Sequence, residues 1–177
     1  MSASEAEGWW FEPTRAREVS KTAFQTDDQR FMSRALELAG IAEHHGDVPV
    51  GALVVIDGEI AAVGFNQKEA NHDPTAHAEI VALRQASARR GSWRLTGATL
   101  YVSKEPCIMC AAACVAARIE RIVFGCWDPK GGGAGSVYNV ADDARLNHRI
   151  ALEGGLMEHE AAAQLRAFFK KRRSEEL

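Results

Sequence analysis

From Thr26 onward, strand-like apolar runs alternate with helical stretches, and that alternation confines the chain to an α/β layered domain. The segment VPVGALVVIDGEIAAVGFN carries two apolar runs around Asp57-Gly58, a hairpin signal, so the sheet is expected to be mixed rather than purely parallel. Ahead of it, Phe31, Ala35, Leu38, Ala39 and Ala42 recur at helical spacing. Thr26 with Gln29 fits a capping box for that helix, and Gly46 fits its stop. A loop from Gln67 to Pro74 leads to a second helix, expected from Thr75 to Arg90 and ended by Gly91. Thr99 to Ser103 reads as a buried strand, and Pro106 as the first residue of an alanine-rich helix. Arg121 to Gly125 is another strand, followed by a glycine-rich loop and a short irregular stretch. A last strand is expected near Ile150 to Glu153 and a last helix from Glu158 to Arg173. No internal repeat is present.

With 177 residues, 46% of them hydrophobic and 25% charged, the chain suits one globular domain. Residues 1–25 lack periodicity and are expected to be a flexible tail, leaving 26–177 as the domain; Trp9, Trp10 and Phe11 are the residues of that tail that would dock on the body. No basic start precedes an apolar run and no stretch is long enough for a bilayer, so a cytoplasmic protein without a membrane partner is expected. The net charge of -3 excludes a surface coated in basic charge; a nucleic-acid partner would have to meet a local patch. Four cysteines are present, and Cys107, Cys110 and Cys114 are too tightly clustered for a disulfide framework, which points to metal or catalysis.

The chemistry concentrates in two short motifs, His77-Ala78-Glu79 and Pro106-Cys107-Ile108-Met109-Cys110, each expected in the first turn of a helix. Cysteines three apart share a helix face, and a helix N-terminus favours their thiolates. With His77 they form a nitrogen and two-sulfur set suited to one zinc ion per chain. Cys114 stands seven residues beyond Cys107, roughly 10 Å along a helix axis, too far to join them. It is read as a buried apolar side chain, and Cys126 as a packed thiol. Three protein ligands leave a fourth position for water, the mark of a catalytic zinc. Glu79 beside the ligand His77 then has a use as proton shuttle.

Taken together, VPVGALVV (48–55), HDPTAHAEIVALR (72–84), LYVSKEPCIMC (100–110), RIVFG (121–125) and FFKKRR (168–173) resemble the bacterial tRNA-specific adenosine deaminases of the cytidine and deoxycytidylate deaminase superfamily, over about Arg30 to Arg173. The resemblance implies a three-layer α/β/α cytidine-deaminase-like fold with about five strands and helices on both faces. It implies hydrolytic deamination of adenosine to inosine at the wobble position of a tRNA anticodon, tRNA-Arg above all, with zinc-activated hydroxide attacking C6 of an extruded adenine. A homodimer whose partner helps shape the site for the anticodon stem-loop is also implied. On the matching motifs, Asn66, Ala78, Asp128, His148, Phe168, Lys170, Arg172 and Arg173 would touch the substrate. From the residues alone, Asn66 is equally a base reader or a turn former, His148 an RNA neighbour or a structural histidine, and one of Phe168 and Phe169 would pack inward. The chain departs from the family pattern at Lys104 (usually apolar), at Ala112 and Cys114 (usually Gly and Met), and at Cys126-Trp127, where Trp127 could stack on a base or pack inward. Two rival readings share part of this constellation: a zinc deaminase of a free base, nucleoside or nucleotide of guanine or cytosine type, and a non-catalytic zinc or RNA-binding module.

Overall fold

The computed structural model describes residues 24–175, so the readings made for Trp9, Trp10 and Phe11 lie outside the described residues. The chain runs α1 (Asp28–His44), β1 (Gly51–Ile56), β2 (Glu59–Phe65), α2 (Lys68–Asn71), α3 (Ala78–Arg90), β3 (Thr99–Lys104), α4 (Ile108–Ala117), β4 (Arg121–Cys126), β5 (Ala151–Gly154) and α5 (Glu158–Glu175). One five-stranded sheet has the order β2-β1-β3-β4-β5. β1 is antiparallel to β2 and to β3, while β3, β4 and β5 run parallel. The mixed sheet expected from the hairpin is what forms. Asp57 (φ 51°) and Gly58 (φ 77°) both adopt positive φ, the geometry of a type I′ turn that matches strand twist.

Alternation along the strands divides the core. Ala52, Val54, Leu100, Val102, Ile122 and Phe124 point toward α3 and α4, packing on Ala78, Ala82, Leu83, Ala111, Cys114 and Val115. Leu53, Val55, Tyr101 and Val123 point the other way, against Phe31, Met32, Ala35 and Leu38 of α1. α5 joins that second layer through Ala161, Ala162 and Leu165, packed with Cys126. Helices thus cover both faces, and the three layers are α/β/α. At Gly64 in β2, an added Cβ would lie 2.3 Å from the carbonyl oxygen of Ala78, so the absent side chain is what lets α3 sit against the sheet.

Several boundaries differ from the sequence expectation. No capping box forms at Thr26 and Gln29; α1 begins at Asp28, and Asp27 at its cap makes no side-chain capping hydrogen bond. Asp28 itself accepts the Gln25 N–H at 2.6 Å. α3 begins at Ala78, three residues later than expected, because Asp73 draws both the N–H and the hydroxyl of Thr75 into a turn. Pro106 stands outside α4, whose cap is Cys107. Within the expected loop 67–74 lies α2, whose first N–H groups are met by the buried carboxylate of Asp47. α4 ends without glycine: Arg118 adopts φ 64°, its guanidinium held by Asn147 at 2.8 Å.

A buried ionic cluster ties α1 to the parallel half of the sheet. Arg121 donates to Asp28 at 2.9 and 2.7 Å and bidentately to Glu153 at 2.8 and 2.7 Å. The Tyr101 hydroxyl donates to Asp28 at 2.6 Å. Burial works to raise the Asp28 carboxyl, but the hydrogen bonds from Arg121 and Tyr101 outweigh it and hold it below the usual carboxylate range. Because the folded value lies below the unfolded one, this stabilisation is present above about pH 4 and is lost as pH falls through the folded value. Arg121→Met strands two carboxylates and should lower unfolding free energy by about 3–5 kcal/mol in urea titrations at pH 7. Asp28→Asn should flatten the acid limb of stability against pH.

Candidate metal centre and active site

α3 and α4 both start at the same end of the sheet, and each is capped by a residue of the chemical motifs. His77 (φ -72°, ψ 151°) is the cap of α3 and Cys107 (φ -70°, ψ 174°) the cap of α4. Both are extended residues whose carbonyls accept the first intrahelical bonds, from Val81 and Ala111. Cys110, three residues on, faces the same space as Cys107. The His77 Nδ1 lies 3.7 Å from the Cys107 Sγ and 3.5 Å from the Cys110 Sγ. The three donor atoms all lie within 4.8 Å of one another, and this is the trio of metal-ligating type among the described residues. Tetrahedral zinc, with bonds of about 2.3 Å to sulfur and 2.0–2.1 Å to nitrogen, places its ligands about 3.5 Å apart, so the trio fits the ion. Cys114 is buried in the apolar core and takes no part.

The electrostatics suit a cation. The hydrogen bond from Cys110 draws the Cys107 thiol down to about 3, against the opposing effect of burial and with help from His77. The Cys110 thiol is pushed up by the same bond. A divalent ion held between the two sulfurs would favour both as thiolates. Glu79, in the first turn of α3, is buried, and its Oε2 has no hydrogen-bond partner among the described residues. Burial raises its carboxyl above the usual range. An orphaned buried carboxylate oxygen is costly unless a ligand completes it.

These groups open on a cavity of about 330 Å³ whose wall includes Asn66, Lys68, His77, Glu79, Lys104, Cys107, Asp128, Lys130 and Phe169. Asn66 uses both ends of its amide: Oδ1 accepts the Ala78 N–H at 2.9 Å and Nδ2 donates to the Val48 carbonyl at 3.0 Å. It therefore satisfies the first N–H of α3 and holds that helix start in place while lining the cavity. Ala78 is buried and spends its N–H on Asn66; it is not part of the wall.

Sequence reasoning assigned nothing to Glu105, which proves to be the hub of the glycine-rich loop. Its buried carboxylate accepts N–H groups from Asp128 (2.8 Å), Ala134 (3.1 Å) and Ser136 (3.0 Å), and the Ser136 hydroxyl. At Gly132 an added Cβ would lie 2.3 Å from Glu105 Oε2, so only glycine lets the loop wrap this carboxylate. The available signal was an acid wedged between a buried strand and Pro106, where burial demands partners, next to a loop rich in free N–H groups.

The remaining expected residues separate. Asp128 lines the cavity, paired with Lys104. Phe169, not Phe168, lines it; Phe168 is buried and carries Arg172 over its ring at 5.7 Å. Arg172 also donates to the Gly46 carbonyl at 3.3 Å, so it caps the end of α1 as well as contributing charge. Lys170, Lys171 and Arg173 are exposed. His148 lies at the opposite end of the sheet from the cavity, its Nε2 hydrogen-bonded to the carbonyl of Ile119 just before β4. Trp127 packs inward, edge-on to Phe124 at 4.7 Å. Cys126 is buried against α5, its thiol pushed up to about 12 by burial.

The match to known proteins agrees with this geometry. Residues 25–126 match the family model described as the cytidine and deoxycytidylate deaminase zinc-binding region. The chain is 45% identical over 148 residues to the tRNA-specific adenosine deaminase of Bacillus subtilis (strain 168), covering 84% of this chain and 92% of that protein. A solved structure from studies of A-to-I editing by tRNA:A34 deaminases at the wobble position of transfer RNA superposes with TM-score 0.74 at 43% identity, covering 77% of this chain and 99% of that one. A Bacillus subtilis guanine deaminase structure gives TM-score 0.54 at 39% identity, over 56% of this chain and 64% of that one. The chain is therefore a member of the cytidine and deoxycytidylate deaminase family, carrying that family's zinc-binding region on α3 and α4.

Proposed function

We propose that the protein hydrolyses adenosine to inosine at the wobble position of a tRNA anticodon, working in the cytoplasm as a homodimer, with tRNA-Arg as substrate. The observation that carries the chemistry is the buried Glu79 carboxylate, its Oε2 without a partner among the described residues, beside three converging metal ligands on the wall of a cavity. The adenosine and tRNA parts of the reading are supported by the activity of the relatives, which the chain matches over most of their length. Among the described residues no helix is long and apolar enough to cross a membrane.

His77, Cys107 and Cys110 would hold zinc, which supplies Lewis-acid activation of a water molecule. The water oxygen forms a bond to C6 of the adenine. Glu79 takes the proton released and passes it to the ring nitrogen beside C6. The C6–N6 bond then breaks, Glu79 relays the second proton to the departing nitrogen, and inosine and ammonia result. Burial suits Glu79 to the protonated stage, because it favours the neutral acid. Asn66 fixes the helix that carries Glu79 and presents its amide to the cavity, where a base edge would pair with it.

A deaminase of free guanine-type bases shares the zinc site, as the guanine deaminase likeness illustrates. What favours the tRNA reading is the exposed run Lys170, Lys171 and Arg173 next to Phe169 at the cavity edge. Four successive cations repel one another on a helix end, and a phosphate backbone is what would compensate them.

Three outcomes are expected. Cys107→Ala and Cys110→Ala should each lose zinc, measured by metal analysis of purified protein, together with inosine formation in total tRNA. Glu79→Gln should keep full zinc and its melting temperature while turnover drops by about 10²–10⁴-fold; activity within about tenfold of wild type would remove Glu79 as the shuttle. Replacing Lys170, Lys171 and Arg173 by Gln should weaken tRNA binding and flatten its dependence on salt by about 0.7–0.9 in log–log slope per lost phosphate contact. Zinc content should be unchanged in that variant, and equal slopes would move weight to the free-base reading.

A further inference from the structure

The cavity wall holds three carboxylates, Glu79, Glu105 and Asp128, and three lysines, Lys68, Lys104 and Lys130. Glu105 is consumed by the loop N–H groups, and Glu79 sits at the base. Asp128 is different: its position is dictated by the loop rather than by any ligand. Its N–H goes to Glu105, its Oδ1 accepts the Lys130 N–H at 3.1 Å, and its carbonyl accepts the Gly132 N–H at 3.0 Å. The loop therefore plants a carboxylate on the wall of a cavity that, on the reading proposed above, must admit a base attached to flanking phosphates. Left alone, that charge would repel them.

Lys104 occupies the last position of β3, in register with Cys126 at the end of β4, and its ammonium pairs with Asp128 Oδ2. The pair is largely shielded from water, with side-chain exposures of 22% and 14%, so its charges are only weakly screened. Burial tends to raise the Asp128 carboxyl, but the Lys104 charge and hydrogen bond keep it below the usual range and hence ionised.

We propose that Lys104 is a specificity-determining residue: by neutralising Asp128 on the cavity wall, it lets a polyanionic nucleic-acid strand approach, without itself touching the phosphates. The inference rests on the tRNA reading above. A neutral free base has no stake in this pair, so the device belongs to a polynucleotide substrate.

The test measures binding of a fluorescent anticodon stem-loop to zinc-loaded full-length protein carrying Glu79→Gln, across a range of salt. Lys104→Gln should weaken binding roughly tenfold at low salt, and the deficit should shrink as salt rises. Adding Asp128→Asn to Lys104→Gln should restore affinity to within about twofold, since Asn keeps the acceptor for the Lys130 N–H and removes the charge. Asp128→Asn alone should bind at least as tightly as the parent, and Lys104→Arg should match it. A Lys104→Gln deficit that the second substitution does not rescue means direct phosphate contact and overturns the proposal. A deficit that ignores salt means a distorted loop and overturns it too, as does no deficit. Should Lys104→Gln fail to fold, Asp128→Asn decides alone: weaker binding there sinks the idea. If the parent binds no stem-loop, the tRNA reading itself falls, and this inference with it; if the parent binds and the variants behave alike, only this inference falls.

Discussion

The site depends on one geometric condition: two helices must start side by side at the same end of one sheet. A metal held by three side chains needs its donors within a few ångströms, and side chains on separate elements reach that only if their backbones are fixed independently of the ion. Here the backbones are fixed by packing and by hydrogen bonds. Gly64 admits α3 close to β2, and Asn66 satisfies the first N–H of that helix. The bridge between Cys107 and Gly132, with the Gly133 N–H on the Pro106 carbonyl at 2.7 Å, fixes the start of α4. His77 and Cys107 as helix caps follow from these constraints, and the 3.5–3.7 Å spacing between nitrogen and sulfurs follows from the caps.

Most of the architecture was legible because its signals are local. Alternation, the Asp57-Gly58 turn and the helical spacing after Phe31 each depend on neighbours in sequence. The metal trio was legible too, since residue type and spacing nearly determine what zinc can bind. What was not legible was long-range and polar. Arg121 meets Asp28 and Glu153 from elements 93 and 32 residues away, and nothing near Arg121 in sequence announces it. The same holds for Glu105, whose partners lie in the loop more than twenty residues on. The exchange of roles between Phe168 and Phe169 has another cause. Adjacent helical residues point about 100° apart, and which of them faces the cavity depends on how α5 is rolled against β4, which local spacing does not report. His148 kept two readings in sequence, and its bond to Ile119 accounts for it structurally.

The charge of the whole chain is a poor guide to its site. A net charge of -3 coexists with a cavity wall that holds three lysines and three carboxylates, Lys104 and Asp128 among them as an ion pair, and an exposed cationic helix end stands nearby. What a strand of nucleic acid would meet is set by this local arrangement within a screening length of about 8–10 Å, not by the sum over the surface.

Glu105 also separates what is free to vary from what is not. It stands two residues before Cys107, so the stretch that positions a zinc ligand is the one that shapes the glycine loop from within. The loop's outward side chains, Val137 and Tyr138, are exposed and take no part in that inner scaffold. Ligand frame and glycine loop are thus mechanically one piece on the inside and chemically independent on the outside. Substitutions at the outward side chains leave the inner carboxylate's bonds in place, whereas any change that loosens that carboxylate disturbs ligand frame and loop together.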